Sequence, residues 1–260
     1  MQSIQIIVNA SPQGMYPQNG APLLNISYYP HLEAVVDVIY NPLKTQLLLQ
    51  AQDLGIPFAN GLEMLVAQAK YAAEYFIGHK IEEQKIDEIY TALNGNLHNL
   101  VLIAMPSAGK TTLGKELASL LHKNFVDMDA RIVQEAGKSI PQIFAEDGET
   151  VFRDWETKIA ACLGKETGQV IATGGGIIKR EENIRALRQN AIIVYIDRNL
   201  SNLLVGHGRP LSKDIESLQK MYAERLPYYL KYSDIQVENN NSKEVAVQQI
   251  KEKFYEAIGY

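Results

Sequence analysis

The run Ala104-Met-Pro-Ser-Ala-Gly109-Lys110-Thr111-Thr112 puts small residues, a lysine and two hydroxyls between an apolar stretch and an amphipathic one. Strand, tight loop and helix in that order form a phosphate cradle, because loop amides and a helix N-terminus present N–H groups to an anion. Ser107, Ala108, Gly109, Lys110, Thr111 and Thr112 are therefore candidate contacts for a nucleoside triphosphate. Lys110 has the reach for the β and γ phosphates, and the Thr111 hydroxyl is a ligand for Mg²⁺. Ala104 stands where such loops usually begin with glycine, which is tolerable provided that its φ stays below zero.

Further polar residues fall where later apolar runs end. Asp127 and Asp129 close FVDMD. Spaced i, i+2 on an extended strand they share a side, one for a metal's water shell and one for a substrate hydroxyl; Asp129 is equally a good N-cap for a following helix. Arg153 and Glu156 lie one turn apart on a predicted helix, a spacing that ordinarily gives a surface ion pair. Gly174, Gly175 and Gly176 directly follow another apolar run, and three consecutive glycines lose so much chain entropy on folding that a close ligand is the better explanation. Arg209 in HGRPL and Arg225 in ERLPYY complete the set, while His207 reads as an exposed loop residue.

These groups need a scaffold, and from residue 98 short apolar runs alternate with amphipathic segments. That pattern predicts an α/β domain with a parallel sheet flanked by helices. The expected strands are 99–105, 125–128, 169–173, 191–197 and 234–237, with helices such as 110–122, 149–164, 214–230 and 243–257; the Asn run 239–241 reads as a turn. Residues 1–95 carry strand-like runs at 3–10, 34–40 and 57–60 and helical stretches at 61–77 and 82–93, in which Leu62, Leu65, Val66, Ala69, Ala73 and Phe76 form a core stripe. Domains 1–95 and 96–260 are expected, joined near NGNLHN at 94–99.

The chain has 260 residues and a net charge of −5. Residues 1–95 hold four Lys, no Arg and nine acidic groups, so the remainder is neutral and holds all eight arginines. An anionic ligand gripped by side chains thus belongs in the second part. Neither part has the basic excess of a nucleic-acid binder. No run of about 18 apolar residues exists to span a membrane. A single cysteine, Cys162, and no signal-like start point to a cytoplasmic setting.

Taken in order, AMPSAGKTT, FVDMDARI, GKSIPQIFAEDGETVFRDWE, ATGGGI, GRPLS and ERLPYY resemble the shikimate kinases over about residues 98–250. The resemblance implies a five-stranded parallel sheet with a P-loop and mobile lid, and ATP-dependent phosphorylation of a shikimate hydroxyl with Mg²⁺. It implies that Asp129, Arg153, Gly174 to Gly176 and Arg225 hold shikimate, with Arg153 and Arg225 on its carboxylate. It further implies that Lys110 and Arg209 stabilise the transferring phosphoryl group, that Thr111 ligates Mg²⁺ and that Asp127 lies near the metal through water. Asp129 is the candidate for orienting, and deprotonating, the attacking hydroxyl. The segment NLLVGHG before Arg209 is several residues shorter than the usual lid and lacks the basic residue often found beside adenine, which implies weaker water exclusion and a weaker hold on ATP.

Residues 1–95 resemble the C-terminal part of shikimate dehydrogenases through VNASPQGMYP, VVDVIYNPLKTQLL and NGLEMLVAQA. The resemblance implies a partial Rossmann-like fragment in which Tyr40 and Gln68 contact shikimate and Asn9 and Met15 lie near a nicotinamide. The glycine-rich pyrophosphate turn and the domain bearing the catalytic Lys and Asp are missing, so no dehydrogenase activity is expected. This piece is either the tail of a longer fusion or a reduced module serving as a homodimer or docking surface. Competing readings for the whole chain are another small-molecule P-loop kinase, such as a gluconate kinase, and a nucleotide-binding pseudokinase with a regulatory role.

Overall fold

A computed structural model describes residues 4–20, 23–203 and 215–259. The chain divides into two compact units, one running to His98 and taking in Arg188–Asn190, the other comprising Asn99–Leu187 and Ala191–Gly259.

The first unit contains β1 (Ile6–Asn9), β2 (Ala34–Asp37), α1 (Gln46–Asp53), β3 (Phe58–Ala59), α2 (Leu62–Ile77) and α3 (Gln84–Leu97). Its three strands are parallel in the order β1-β2-β3, with Ile6 opposite Ala34. One face is covered by α1, whose Leu47 and Leu48 join Ile26, Leu32 and Val35 in a small core. Thr45 caps α1 and donates its hydroxyl to the fully buried Asp37 at 2.7 Å. Ile6 and Val8 are 59% and 61% exposed. Since side chains alternate along a strand, both belong to the other face. No helix was expected at 46–53, although a threonine cap before LLLQA marks one.

Two expectations for this unit need correction. The stripe on α2 is core only at Leu62 and Val66; Lys70 and Glu74 continue the buried line, while Phe76 is 83% exposed. There the helix is closed by charge, not by apolar packing: Lys70 Nζ lies 2.9 Å from Glu74 and 2.5 Å from Glu83, and Lys80 reaches Glu74 at 3.2 Å. The join at 94–99 is no loop either, because α3 runs on to Leu97 with Asn94 buried, and a single residue separates it from the next strand.

The second unit holds β4 (Asn99–Ile103), α4 (Lys110–Leu120), β5 (Asn124–Asp127), α5 (Met128–Ala136), α6 (Ile140–Gln142), α7 (Gly148–Leu163), β6 (Gln169–Ala172), α8 (Glu181–Arg188), β7 (Ala191–Asp197), α9 (Ile215–Tyr232), β8 (Ile235–Glu238) and α10 (Lys243–Ala257). The sheet is five-stranded and parallel throughout, in the order β5-β6-β4-β7-β8. All of β4 and β6 and nearly all of β7 are buried, as strands covered on both faces must be. Edge strand β8 alternates buried Ile235 and Val237 with exposed Gln236 and Glu238. The first strand in sequence is therefore the central one, and chain leaves its carboxyl end into the phosphate loop, the end at which open α/β sheets bind ligands.

Candidate active site

One cavity of about 750 Å³ opens at the carboxyl ends of these strands. Its walls include Ser107, Gly109, Lys110, Thr111, Thr112, Asp127, Asp129, Arg153, Gly174, Gly175, Gly176 and Arg225, so twelve expected site residues are drawn together from five separate segments. Arg209, together with Gly206, His207 and Gly208, lies outside the described residues.

The phosphate loop turns on two left-handed residues, Ser107 at φ 67° and Gly109 at φ 99°. Gly109 is also the cap residue just before α4, so its conformation aims the first amides of that helix at the loop's concave side. Ala104 is not among the residues with positive φ, which is why alanine serves in place of glycine there. Lys110 Nζ folds back over the loop and donates to the carbonyls of Ala104 and Met105 at 3.1 and 3.0 Å. Ala108, expected as an ATP contact, is buried behind the loop: its amide turns back to Met105 O at 3.3 Å and it does not reach the cavity wall. Its carbonyl accepts from Asn239 Nδ2 at 2.9 Å, so the first of the three asparagines is a buried buttress for the loop and more than a turn residue.

Thr111 Oγ1 donates to Asp127 Oδ2 at 2.9 Å, bringing the proposed metal hydroxyl and its neighbouring carboxylate into contact. Asp127 Oδ1 accepts from the amides of Asp129 and Ala130 at 3.1 and 3.3 Å. Asp127, not Asp129, is thus the cap of α5, and Asp129 stands in the first helical turn. The strand ends at Asp127, so the i, i+2 strand geometry expected for the two carboxylates does not apply. The cap leaves the Asp129 carboxylate pointing at Gly174, where an added Cβ would be 2.9 Å from its Oδ1. Among the described residues no group of three or more His, Cys, Asp or Glu could cage a metal. A hydroxyl beside one carboxylate fits Mg²⁺, which keeps several waters and takes few protein ligands.

The Arg153–Glu156 pair is not on the surface. Arg153 is 7% and Glu156 1% exposed, and Arg153 Nη1 meets Glu156 Oε2 at 2.5 Å. On its other edge Arg153 is held by Glu149 Oε1, 2.8 Å from Nη2, which is also 3.4 Å from Lys179. Burial pushes the Glu156 carboxyl up, against the pull of the Arg153 charge. Helical spacing could not reveal this, because i, i+3 places the pair on one face without saying which way that face points. Among the described residues, Glu156 Oε1 is buried with no hydrogen-bond partner, and so is Arg225 Nε. Arg225 Nη1 donates to Gly175 O at 2.9 Å. Tyr229, on the same helix, sends its hydroxyl to Gly175 O at 2.6 Å and stands 3.0 Å from Ala104 O, tying the glycine turn to the end of β4. Burial pushes that hydroxyl up to about 12, so it stays a neutral donor.

The three glycines are required by close approach and not by left-handed backbone, since none has positive φ. A Cβ on Gly174 would crowd Glu156 and Asp129 at 2.8 and 2.9 Å, one on Gly175 would touch Pro106 at 3.0 Å, and one on Gly176 would overlap the Arg153 guanidinium. Site side chains, as much as any ligand, account for the run. The cavity thereby brings the phosphate loop and the side chains of Asp129, Arg153, Glu156 and Arg225 into one wall.

Residues 106–255 match the family model for shikimate kinase. The shikimate kinase of Clostridium beijerinckii is 39% identical over 159 residues, covering 60% of this chain and 94% of that protein. The chain belongs to the shikimate kinase family. The solved structure of the shikimate kinase from Acinetobacter baumannii in complex with shikimate superposes with TM-score 0.56 at 29% identity, over 65% of this chain and 97% of that one. The N-terminal part is similar to a chorismate mutase/shikimate 5-dehydrogenase fusion protein from Clostridium acetobutylicum, at 37% identity and TM-score 0.33, over 34% of this chain and 33% of that one. As a shikimate kinase the chain is a transferase that phosphorylates shikimate at the expense of ATP, with Mg²⁺. The gluconate kinase and pseudokinase readings are not favoured.

Proposed function

We propose that ATP and shikimate share the cavity end to end, in the roles that the motif order implies. Ser107, Gly109, Lys110, Thr111 and Thr112 hold the ATP phosphates, with Ala108 supporting from behind. Thr111 ligates Mg²⁺ and Asp127 engages it through water; bound there, Mg²⁺ neutralises charge on the phosphate oxygens. Arg153 and Arg225 bind the shikimate carboxylate, Gly174 to Gly176 line its ring, and Asp129 orients the hydroxyl that becomes the 3-phosphate. That hydroxyl oxygen bonds to the γ phosphorus, the bond from phosphorus to the bridging oxygen breaks, ADP leaves with its electron pair, and Asp129 takes the hydroxyl proton. Lys110 and Arg209 offset the charge that develops.

The observation that carries these roles is that Arg225 Nε and Glu156 Oε1, both in the wall of the cavity that holds the phosphate loop, are each buried with no hydrogen-bond partner among the described residues. A donor and an acceptor left without partners cost free energy that a carboxylate and hydroxyl ligand recovers. The test is ADP release with ATP and Mg²⁺, with and without shikimate. The wild type turns over only with shikimate, and Lys110→Ala falls by about 10³- to 10⁵-fold, the scale of phosphate-stabilising cations; equal turnover by the variant overturns the role of Lys110.

The unit of residues 1–95 is proposed as a homodimer surface and not as a dehydrogenase. A parallel sheet is normally covered on both faces and invites pairing at an open edge, and β1 carries Ile6 and Val8 exposed at such an edge. A concentration-independent monomer in sedimentation would end that reading, and NADP-dependent oxidation of shikimate would end the other. A cytoplasmic location fits the single cysteine, and among the described residues no helix is long and apolar enough to cross a membrane.

A further inference from the structure

Arg198 follows β7 directly and belongs to none of the motifs that carry the family resemblance. It lines the same cavity as Lys110 and Thr111. Its Nη1 lies 3.8 Å from where a Cβ on Gly109 would stand, beside the first residue of α4. Its Nε is buried with no hydrogen-bond partner, and no ion pair joins it to any carboxylate among the described residues. The neighbouring Asp197 is engaged elsewhere, accepting from the hydroxyls of Tyr195 at 2.9 Å and Tyr222 at 3.4 Å. The segment is pinned one residue later, where the Asn199 amide donates to Asn240 Oδ1 at 2.7 Å.

A guanidinium nitrogen that has lost its water and gained no partner among the described residues is a net cost to the folded chain, recovered when an anion arrives. The anion delivered to this spot is the phosphate chain cradled by Gly109 and the amides that follow it. Lys110 turns toward the β4 end of the loop, to Ala104 and Met105, whereas Arg198 stands at the opposite end, by Gly109. We infer that Arg198 is a nucleotide-binding residue of this kinase, gripping the phosphates of ATP from the side away from Lys110. The inference rests on the kinase reading for its ligand. Planar, bidentate phosphate recognition suits arginine, and a cation fixed at a strand end offsets a short lid that lacks its own base-side cation.

The experiment compares wild type, Arg198→Ala, Arg198→Lys and the distant surface control Arg131→Ala. In the shikimate-dependent assay Arg198→Ala should raise KM for ATP about tenfold, the loss of one charge-assisted contact, with KM for shikimate unchanged and Arg198→Lys intermediate. ADP, as a competitor of ATP, should weaken by the same factor and adenosine should not. An unchanged KM for ATP, an equal rise in KM for shikimate, or an equal weakening of adenosine overturns the assignment. ADP binding measured by calorimetry without shikimate separates this from the kinase reading: tenfold weaker ADP in Arg198→Ala with no shikimate-dependent turnover in wild type upholds the phosphate contact and sinks the substrate. If Arg198→Ala does not fold, Arg198→Lys alone decides, through KM for ATP against KM for shikimate.

Discussion

Gly176→Ala tests the site with a single methyl group. At φ −103° and ψ 4° alanine is at ease, so the backbone does not object. The new Cβ instead meets the Arg153 guanidinium, 2.7 Å from Cζ and 2.8 Å from Nη2, with Nη1 nearer still. Arg153 cannot simply swing aside, because Glu156 holds it at 2.5 Å and Glu149 at 2.8 Å. The group that yields is nonetheless the far end of a side chain, so stability should fall by only about 1 kcal/mol, the low end of overpacking. The substrate site suffers more. With Arg153 placed on the shikimate carboxylate as proposed, a displaced guanidinium forfeits a charge-assisted contact, about 1.5–3 kcal/mol or roughly 10- to 150-fold in affinity. Steady-state ADP release should therefore show KM for shikimate raised at least tenfold and KM for ATP within twofold, while thermal unfolding moves by a few degrees. A folded variant with an unchanged KM for shikimate would refute the placement of Arg153 on the substrate, and a large loss of stability with normal KM would make the glycine purely structural.

Three other outcomes are expected. Gly109→Ala puts a side chain at φ 99° and 2.9 Å from Asn239 Nδ2, so KM for ATP should rise and stability should drop by about 1–2 kcal/mol, read by nucleotide titration and thermal unfolding. Asp127→Ala removes both the α5 cap and the Thr111 partner, so it should cost about 1 kcal/mol and raise the Mg²⁺ needed for half-maximal turnover, whereas Asp127→Asn should keep more of the cap than of the Mg²⁺ response. Glu74 accepts from the Ile81 amide and pairs with Lys70 and Lys80, which hold its carboxyl down from 4.5 to about 2. Its stabilisation is therefore present above the unfolded value and lost as pH falls from 4.5 towards 2, and Glu74→Gln should flatten acid unfolding of the N-terminal unit in that window.

Much of the molecule was legible in the residues because the signals were local. The 99–105 run, the loop and the 110–122 segment announce strand, cradle and helix through apolar content, small residues and amphipathic period, and β4, the loop and α4 follow within two residues. The strand after Gln169 and the helix after Lys243 are likewise where composition places them. Local rules also mislead in local ways. Asp129 is as good a capping residue as Asp127, and the cap went to the residue at which the strand stopped. On α2 an apolar stripe suggested core to Phe76, yet Lys70 and Glu74 took the buried positions, with Glu83, the residue just before α3, as the partner of Lys70.

The sequence by itself determined the order of chemical parts: a phosphate loop, an acidic strand end, an arginine helix, a glycine turn and a second arginine helix, each set by nearest-neighbour chemistry. Tertiary structure alone decided what those parts touch. Asn239 meets Ala108 across 131 positions, Tyr229 meets Ala104 across 125, and Arg198 comes to rest beside Gly109. It decided too that Arg153 and Glu156 face inward, where desolvation turns an ordinary helical ion pair into a fixed anchor. The physical reason is that a parallel sheet brings together strand ends that are far apart in the chain, so the site's partners are set by sheet order and burial, neither of which any local run of residues encodes.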